Sequence, residues 1–245
     1  MNAIILAAGL GTRLEPISRQ VPKPLVKVNG ETIIERQIQC LQERHVSEIH
    51  IVVGYLHHEF AYLKNKYNIN LIFNPYYSTF NNIYSMFLAK EFLGDTYVLE
   101  GDVYLNRNFL KNSLKNSTYF TGFKKKCQNE WILDFDNEKL KSIIIPDDIE
   151  KYRKYDKGAY IMSGISYWNR NDATIIRSQL ERVIYAIMEE GEFKFKGWYW
   201  DDVVIDNIHH LDINIQEIAS DDWFEIDTYQ DLLETEGRIS GIKNS

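Results

Sequence analysis

The sequence predicts an α/β fold of Rossmann-like topology: a mostly parallel sheet flanked by helices, with a smaller mixed β insertion forming one wall of a cleft. Two observations carry this. Over the first hundred residues, short runs rich in Val, Ile and Leu alternate with amphipathic stretches, and such alternation requires crossover connections between parallel strands. The first apolar run ends in a glycine turn, at the strand end where ligands meet a parallel sheet.

Taken in order, residues 3–8 are a short apolar run, β-branched at its centre, and read as a buried strand. Residues 26–28 are a further apolar piece and Asn29-Gly30 a turn. Residues 32–44 read as a helix with Ile34, Ile38 and Leu41 on one stripe. Strands follow at 48–53, 69–73 and 96–99, with helices at 56–67 and 82–92 between them. Beyond the string Glu100-Gly101-Asp102 the pattern is less regular. Strands are expected at 118–123, 131–135, 140–145 and 212–218, with a long one at 160–168 interrupted by Gly164. The charged stretch 147–157 reads as a solvated loop or short helix. Residues 173–190 form the clearest helix, with Ile176, Leu180, Val183 and Ile187 on one face. A tryptophan-rich segment is left unassigned. The chain closes with an apolar piece at 223–227 and a helix from 228 to about 237.

Composition bounds the function. A hydrophobic content of 44% with 26% charged residues is that of a soluble globular chain. The net charge of −7 argues against nucleic acid as a partner, so an anionic ligand must be captured by local cations. Cys40 and Cys127 have no metal-ligand or redox spacing and fit a reducing compartment. The first apolar run has no basic leader, and no stretch approaches the length of a membrane span. A cytoplasmic protein without membrane insertion is expected.

Gly9 and Gly11 allow a tight turn with positive φ, whose N–H groups can converge on phosphate oxygens. Thr12 and Arg13 follow at once, and Lys23 stands between two prolines, a point charge on a stiffened segment. Together they read as a triphosphate cradle. Leu14 occupies the third glycine position of the dinucleotide fingerprint, and no GxxxxGK[ST] string occurs. Asp102 follows an apolar strand and a glycine, where a carboxylate emerges at the ligand edge and suits a divalent ion; a turn cap is the alternative. A second carboxylate for the ion is expected elsewhere in the chain: Asp227 ends another apolar piece, although Asp227 or Thr228 could equally cap the next helix, and Asp201 and Asp202 compete with Asp227 as the second ligand. The six histidines form no ligand set. The strings Asn129-Glu130-Trp131 and Trp198-Tyr199-Trp200-Asp201-Asp202 combine π faces with carboxylates, the features that bind a quaternary ammonium; amphipathic core aromatics beside acidic loops are the alternative.

The string GLGTR with the later KP resembles the amino-terminal signature of the sugar-phosphate nucleotidyltransferase family. The strings AAGLGTR, VVGYLHHEF, NNIYSM, QNEW, MSGISYW, and GEF followed by YWD and DN narrow this to a resemblance to bacterial CTP:phosphocholine cytidylyltransferases of the LicC type, over nearly the whole chain. The resemblance implies transfer of CMP from CTP to phosphocholine, giving CDP-choline and pyrophosphate, with Mg²⁺ as cofactor. It implies nucleotide contacts from Ala8, Gly9, Leu10, Gly11, Thr12, Arg13 and Lys23, with Asn82 and Ser85 near the cytidine; helix capping would suit the last two equally. It implies catalytic roles for Arg13, Lys23, Asp102 and Asp227, the two aspartates being the metal ligands, and a choline pocket of Glu130, Trp131, Tyr199, Trp200 and Asp201. Residues 1–245 are then one domain, with 1–117 on the nucleotide side, 118–227 on the acceptor and metal side, and 228–245 a terminal helix and tail. Related enzymes act on 2-aminoethylphosphonate, whose primary ammonium favours carboxylates over aromatics, and the acidic residues here keep that acceptor open. A sugar 1-phosphate acceptor and a non-catalytic nucleotide-binding regulator are the remaining alternatives. The 147–158 stretch is read as an insertion near the acceptor entrance.

Overall fold

A computed structural model describes residues 1–125, 127, 130–145, 155–191 and 193–243, so most of the 147–158 stretch lies outside the described residues. The strands are β1 (Asn2–Ala7), β2 (Lys27–Val28), β3 (Glu31–Thr32), β4 (Glu48–Val53), β5 (Asn70–Phe73), β6 (Thr96–Glu100), β7 (Val103–Leu105), β8 (Ser117–Lys124), β9 (Ile132–Asp136), β10 (Lys139–Ile144), β11 (Ala159–Trp168), β12 (Ile213–Glu217) and β13 (Trp223–Glu225). The α-helices are α1 (Ile33–Glu43), α2 (Ala61–Tyr67), α3 (Asn82–Ala89), α4 (Arg170–Met188), α5 (Trp200–Asn207) and α6 (Tyr229–Lys243).

Nine strands form one sheet in the order β5-β4-β1-β6-β11-β8-β12-β10-β9. Its first four strands are parallel. β11 then runs antiparallel between β6 and β8, and β12 returns parallel to β8. The mixed β insertion is therefore a continuation of the main sheet. It curls back on itself, because β9 also pairs with β11. Gly164, at φ +74°, breaks the register of the long strand β11 between Met162 and Ser166. An added Cβ there would lie 2.9 Å from Val103 Cγ2.

The apolar run of β1 is continuous because both faces are covered. Ala3, Ile5 and Ala7 pack with Ile34, Ile38, Leu41 and Leu63 of α1 and α2. Ile4, Leu6 and Ala8 pack with Ile83, Met86, Ile176, Leu180 and Val204 of α3, α4 and α5. The expected helix at 56–67 is split: Leu56 is left-handed at φ 47°, His57–Phe60 is a 3-10 turn, and only then does α2 begin. A third cluster joins Leu14, Val26, Val28 and Ile33 to Tyr104, Phe224, Ile226, Leu232 and Ile239. It ties the loop after β1 to the two-stranded ribbon β7–β13 and to α6.

The tryptophan-rich segment contains α5, and this corrects the expected acceptor pocket. Trp200 is 2% exposed and meets Trp168 edge to face at 5.5 Å. Asp201 is 6% exposed and accepts a 2.6 Å hydrogen bond from the Tyr119 hydroxyl. Both face the core: the large indole is worth most when buried, and the carboxyl is tolerated there because Tyr119 satisfies it. Burial pushes the Asp201 pKa up to about 7, against the Tyr119 hydrogen bond that favours the anion, with Asp202 adding to the rise.

Two outcomes follow for stability. A Cβ at Gly101 would lie 2.8 Å from the Leu6 carbonyl oxygen, whereas one at Gly9 meets nothing within 4 Å. Urea denaturation is expected to find Gly101→Ala destabilised by about 1–3 kcal/mol and Gly9→Ala much less affected. For Asp201, the folded pKa lies above the unfolded value, so its contribution is full below about pH 4 and is lost as pH rises through about 7. Asp201→Asn keeps an acceptor for Tyr119. It is therefore expected to remove a falling slope of up to about 1.4 kcal/mol per pH unit between those limits; identical pH–stability profiles would contradict the assignment.

Candidate active site

The site is built where three distant segments meet at the carboxyl ends of β1 and β6. After β1, Gly11 adopts the left-handed conformation (φ 65°, ψ 31°) and Thr12–Leu14 makes a 3-10 turn that ends in buried Leu14. Leu14 anchors the loop in the third core cluster, which is why this position is not the glycine of a dinucleotide-binding loop. Gly9 has no such constraint. Lys23–Leu25 is a second 3-10 turn, fixed by Pro22 before it and Pro24 within it.

After β6, Gly101 crosses tightly over Leu6 and donates to its carbonyl at 2.9 Å, turning Asp102 over the strand ends. The ribbon then pairs Val103 with Glu225, Tyr104 with Phe224 and Leu105 with Trp223. Ile226 N donates to Asp102 O at 3.1 Å, which brings Asp227 beside Asp102. Thr228 caps α6: the Asp231 carboxylate accepts from Thr228 N at 2.7 Å, and Thr228 Oγ1 accepts from Asp231 N at 3.2 Å. The cap is thus Thr228, and the Asp227 side chain faces the cleft.

Lys23 Nζ donates to Asp102 Oδ2 at 2.7 Å and to Asp227 Oδ1 at 2.5 Å, and Arg13 reaches Asp227 Oδ2 at 2.8 Å. Burial disfavours the Lys23 ammonium, but Asp102 and Asp227 outweigh it and hold its pKa above the ordinary value. Asp102, Glu225 and Asp227 each offer a carboxylate oxygen, all within 4.8 Å of one another. Burial, reinforced by the charges of Asp102 and Asp227, pushes the Glu225 carboxyl upward. A hard oxygen donor set with excess negative charge fits a divalent cation of the Mg²⁺, Mn²⁺ or Ca²⁺ kind. Glu225 is absent from the residues picked out in the sequence. Its place two positions before Asp227, at the end of a strand, was the available clue.

Arg13, Lys23, Asp102 and Asp227 line a cleft of about 320 Å³, with Glu225 outside its lining. Of the residues expected at the site, Ala8, Gly9, Leu10, Gly11, Thr12, Arg13, Lys23, Asn82, Ser85, Asp102, Tyr199 and Asp227 line it. Asn82 and Ser85 are not caps; Asn81 caps α3. Asn82 Nδ2 donates to Glu100 Oε1 at 2.9 Å and Asn82 Oδ1 accepts from Trp200 N at 2.8 Å, while Ser85 Oγ accepts from Asn74 Nδ2 at 2.9 Å. Glu100, also unforeseen, faces the cleft; burial and the charge of Asp102 push its pKa well up, against a hydrogen bond from the Trp200 side chain. The aromatic residues divide. Tyr199 lines the cleft and Trp131, outside that lining, meets it edge to face at 5.3 Å to form a corner at the rim, whereas Trp200 and Asp201 stand behind the wall. Glu130 accepts from Lys124 Nζ at 3.2 Å, outside the cleft lining.

Comparison with known proteins agrees with this geometry. A family profile described as "Nucleotidyl transferase" matches residues 2–121. The choline-phosphate cytidylyltransferase of Streptococcus pneumoniae is 43% identical over 237 residues, covering 96% of this chain and 97% of that protein. The 2-aminoethylphosphonate cytidylyltransferase of Lancefieldella rimae is 34% identical, covering 94% and 90%. The solved structure of the Streptococcus pneumoniae CTP:phosphocholine cytidylyltransferase (LicC) superposes with a TM-score of 0.87 at 40% identity, over 97% of this chain and 98% of that one. With its Lys23–Asp102–Asp227 cluster set at the strand ends of a shared fold, the chain belongs to the nucleotidyltransferase family, in the group of bacterial cytidylyltransferases that includes the choline-phosphate enzymes.

Proposed function

We propose that the protein transfers CMP from CTP to phosphocholine, releasing pyrophosphate and CDP-choline. The observation that carries this reading is the meeting of Lys23, Arg13 and three carboxylates beside a glycine turn, in a cleft whose rim bears the Trp131–Tyr199 corner. The 43% identity to a choline-phosphate enzyme, against 34% to a 2-aminoethylphosphonate enzyme, favours the quaternary ammonium acceptor.

In this reading the Gly9–Arg13 turn and Lys23 hold the triphosphate, and Asn82 and Ser85 stand near the cytidine. An oxygen of the acceptor phosphate forms a bond to the α-phosphorus as the bond to the β-phosphate oxygen breaks, and the electron pair leaves with pyrophosphate. That nucleophile is already anionic, so no general base is required. Lys23, preorganised by two carboxylates, offsets the negative charge that gathers on the phosphates. Mg²⁺ is the cofactor in this proposal; held by Asp102, Glu225 and Asp227, it supplies further positive charge at the phosphates. Trp131 and Tyr199 present π faces to the trimethylammonium group. Among the described residues no helix is long and apolar enough to cross a membrane. The buried unpaired Cys40 and Cys127 suit a reducing compartment such as the cytoplasm.

The test is pyrophosphate release with Mg²⁺ and CTP, run in parallel with phosphocholine and 2-aminoethylphosphonate. Preference for phosphocholine is expected; preference for the primary amine would transfer the assignment to the phosphonate. Lys23→Ala is expected to lower turnover about 10²–10³-fold, the loss typical of such electrostatic groups, and near-normal turnover would remove Lys23 from the reaction.

A further inference from the structure

We propose that Lys124 binds the phosphate of the acceptor, exchanging its partner Glu130 for it, an assignment that rests on the reaction given above. Bringing a phosphorylated acceptor up to a nucleoside triphosphate sets two anions side by side, which requires a cation on the acceptor's own side. Arg13 and Lys23 approach Asp227 from the loops that follow β1. Lys124 stands on β8 over Trp223, which lies two residues before Glu225 of the carboxylate cluster.

The route is given by strand packing. β8 and β13 meet where Gly122 lies against Trp223; a Cβ on Gly122 would come within 2.8 Å of Trp223 Nε1. Two residues further along each strand, on the same face, stand Lys124 and Glu225. Lys124 Nζ lies 4.5 Å from the centre of a Trp223 ring, so the ring holds it from one side while Glu130 Oε1 accepts from it at 3.2 Å. Glu225 belongs to the carboxylate cluster with Asp102 and Asp227. From Glu130 the chain passes directly to Trp131, whose ring meets Tyr199. Lys124, Glu130 and the aromatic corner thus form a track from the carboxylate cluster to the cleft rim.

The track matches the acceptor charge for charge. Phosphocholine carries an anionic phosphate at one end and a trimethylammonium at the other. The partly exposed Lys124–Glu130 pair, of a kind that is weak in water, would be exchanged for two pairs with the ligand. The phosphate oxygens are the stronger partners for a lysine ammonium, and Glu130 is released towards the trimethylammonium beside Trp131.

The test uses steady-state kinetics and calorimetric binding on the full chain. Lys124→Gln is expected to raise KM for phosphocholine about 10–100-fold, the loss of a charge-assisted contact, while KM for CTP changes less than twofold. Lys124→Arg should restore most of the affinity. Choline, which lacks the phosphate, should inhibit the wild type and Lys124→Gln equally but bind Glu130→Gln more weakly. An unchanged phosphocholine KM in Lys124→Gln would overturn the assignment. So would a parallel rise in both KM values with a lowered Tm, which marks a structural role on Trp223. Wild-type turnover separates the two claims: if 2-aminoethylphosphonate is the acceptor used, the reaction assignment fails, and Lys124 is judged by the KM for that compound.

Discussion

A lysine whose side chain is only 11% exposed is costly to bury unless opposite charges reach it, and Lys23 is reached by Asp102 and Asp227 from segments 79 and 204 residues away. Much of the architecture around the cleft answers to that requirement. The close crossing of Gly101 over Leu6 turns Asp102 into place. The β7–β13 ribbon sets Asp227 beside it, and the Thr228–Asp231 cap leaves the Asp227 carboxylate facing Lys23. Beneath them the third core cluster welds the loop after β1, the ribbon and α6 into one support. A cation held this way needs little rearrangement when charge develops nearby, which is the property an electrostatic catalyst requires.

The sheet divides the work. Its parallel half, covered on both faces at β1, delivers the glycine turn, Arg13 and Lys23 to the cleft. Its mixed half, entered through antiparallel β11, carries Lys124 at the end of β8 and, just before β9, Glu130 and Trp131. Behind the wall, Trp200 and Asp201 form an inner layer that positions the visible one: Trp200 bonds to Glu100 and, through its backbone, to Asn82. Burial raises the pKa of Glu100, Asp201 and Glu225 alike. The cleft itself is lined by the carboxyl groups of Glu100, Asp102 and Asp227, which a cation would complement, on a chain whose net charge is −7.

The element pattern was largely legible in the sequence because it rests on local periodicity. The strand at 48–53 coincides with β4, the apolar stripe of 173–190 is the buried face of α4, and Gly164 does interrupt β11. The turns that line the cleft were legible for the same reason: Gly11, Thr12, Arg13 and Lys23 lie close in the chain, and their placement depends on turns that adjacent glycines and prolines impose. Asp102 stood out because it follows a strand and a glycine within three residues.

What the sequence left open was every question of which side chain faces what. Trp131, Tyr199 and Trp200 are equivalent as aromatic residues in acidic strings; only the packing of α5 against Trp168 sends Trp200 inward and leaves Tyr199 at the rim. Asp201 and Glu130 look alike as nearby carboxylates, yet one is bonded to Tyr119 in the core and the other to Lys124 near the surface. Glu225 joins Asp102 and Asp227 through the register of a three-residue ribbon between segments more than a hundred residues apart. By itself, the sequence determined the fold class, the glycine turn after β1 and the family resemblance, because these depend on neighbours along the chain. The third carboxylate, the inward turn of Trp200 and Asp201, and the Lys124–Glu130 pair were decided by tertiary structure, since strand register and burial are set by distant residues that no local pattern records.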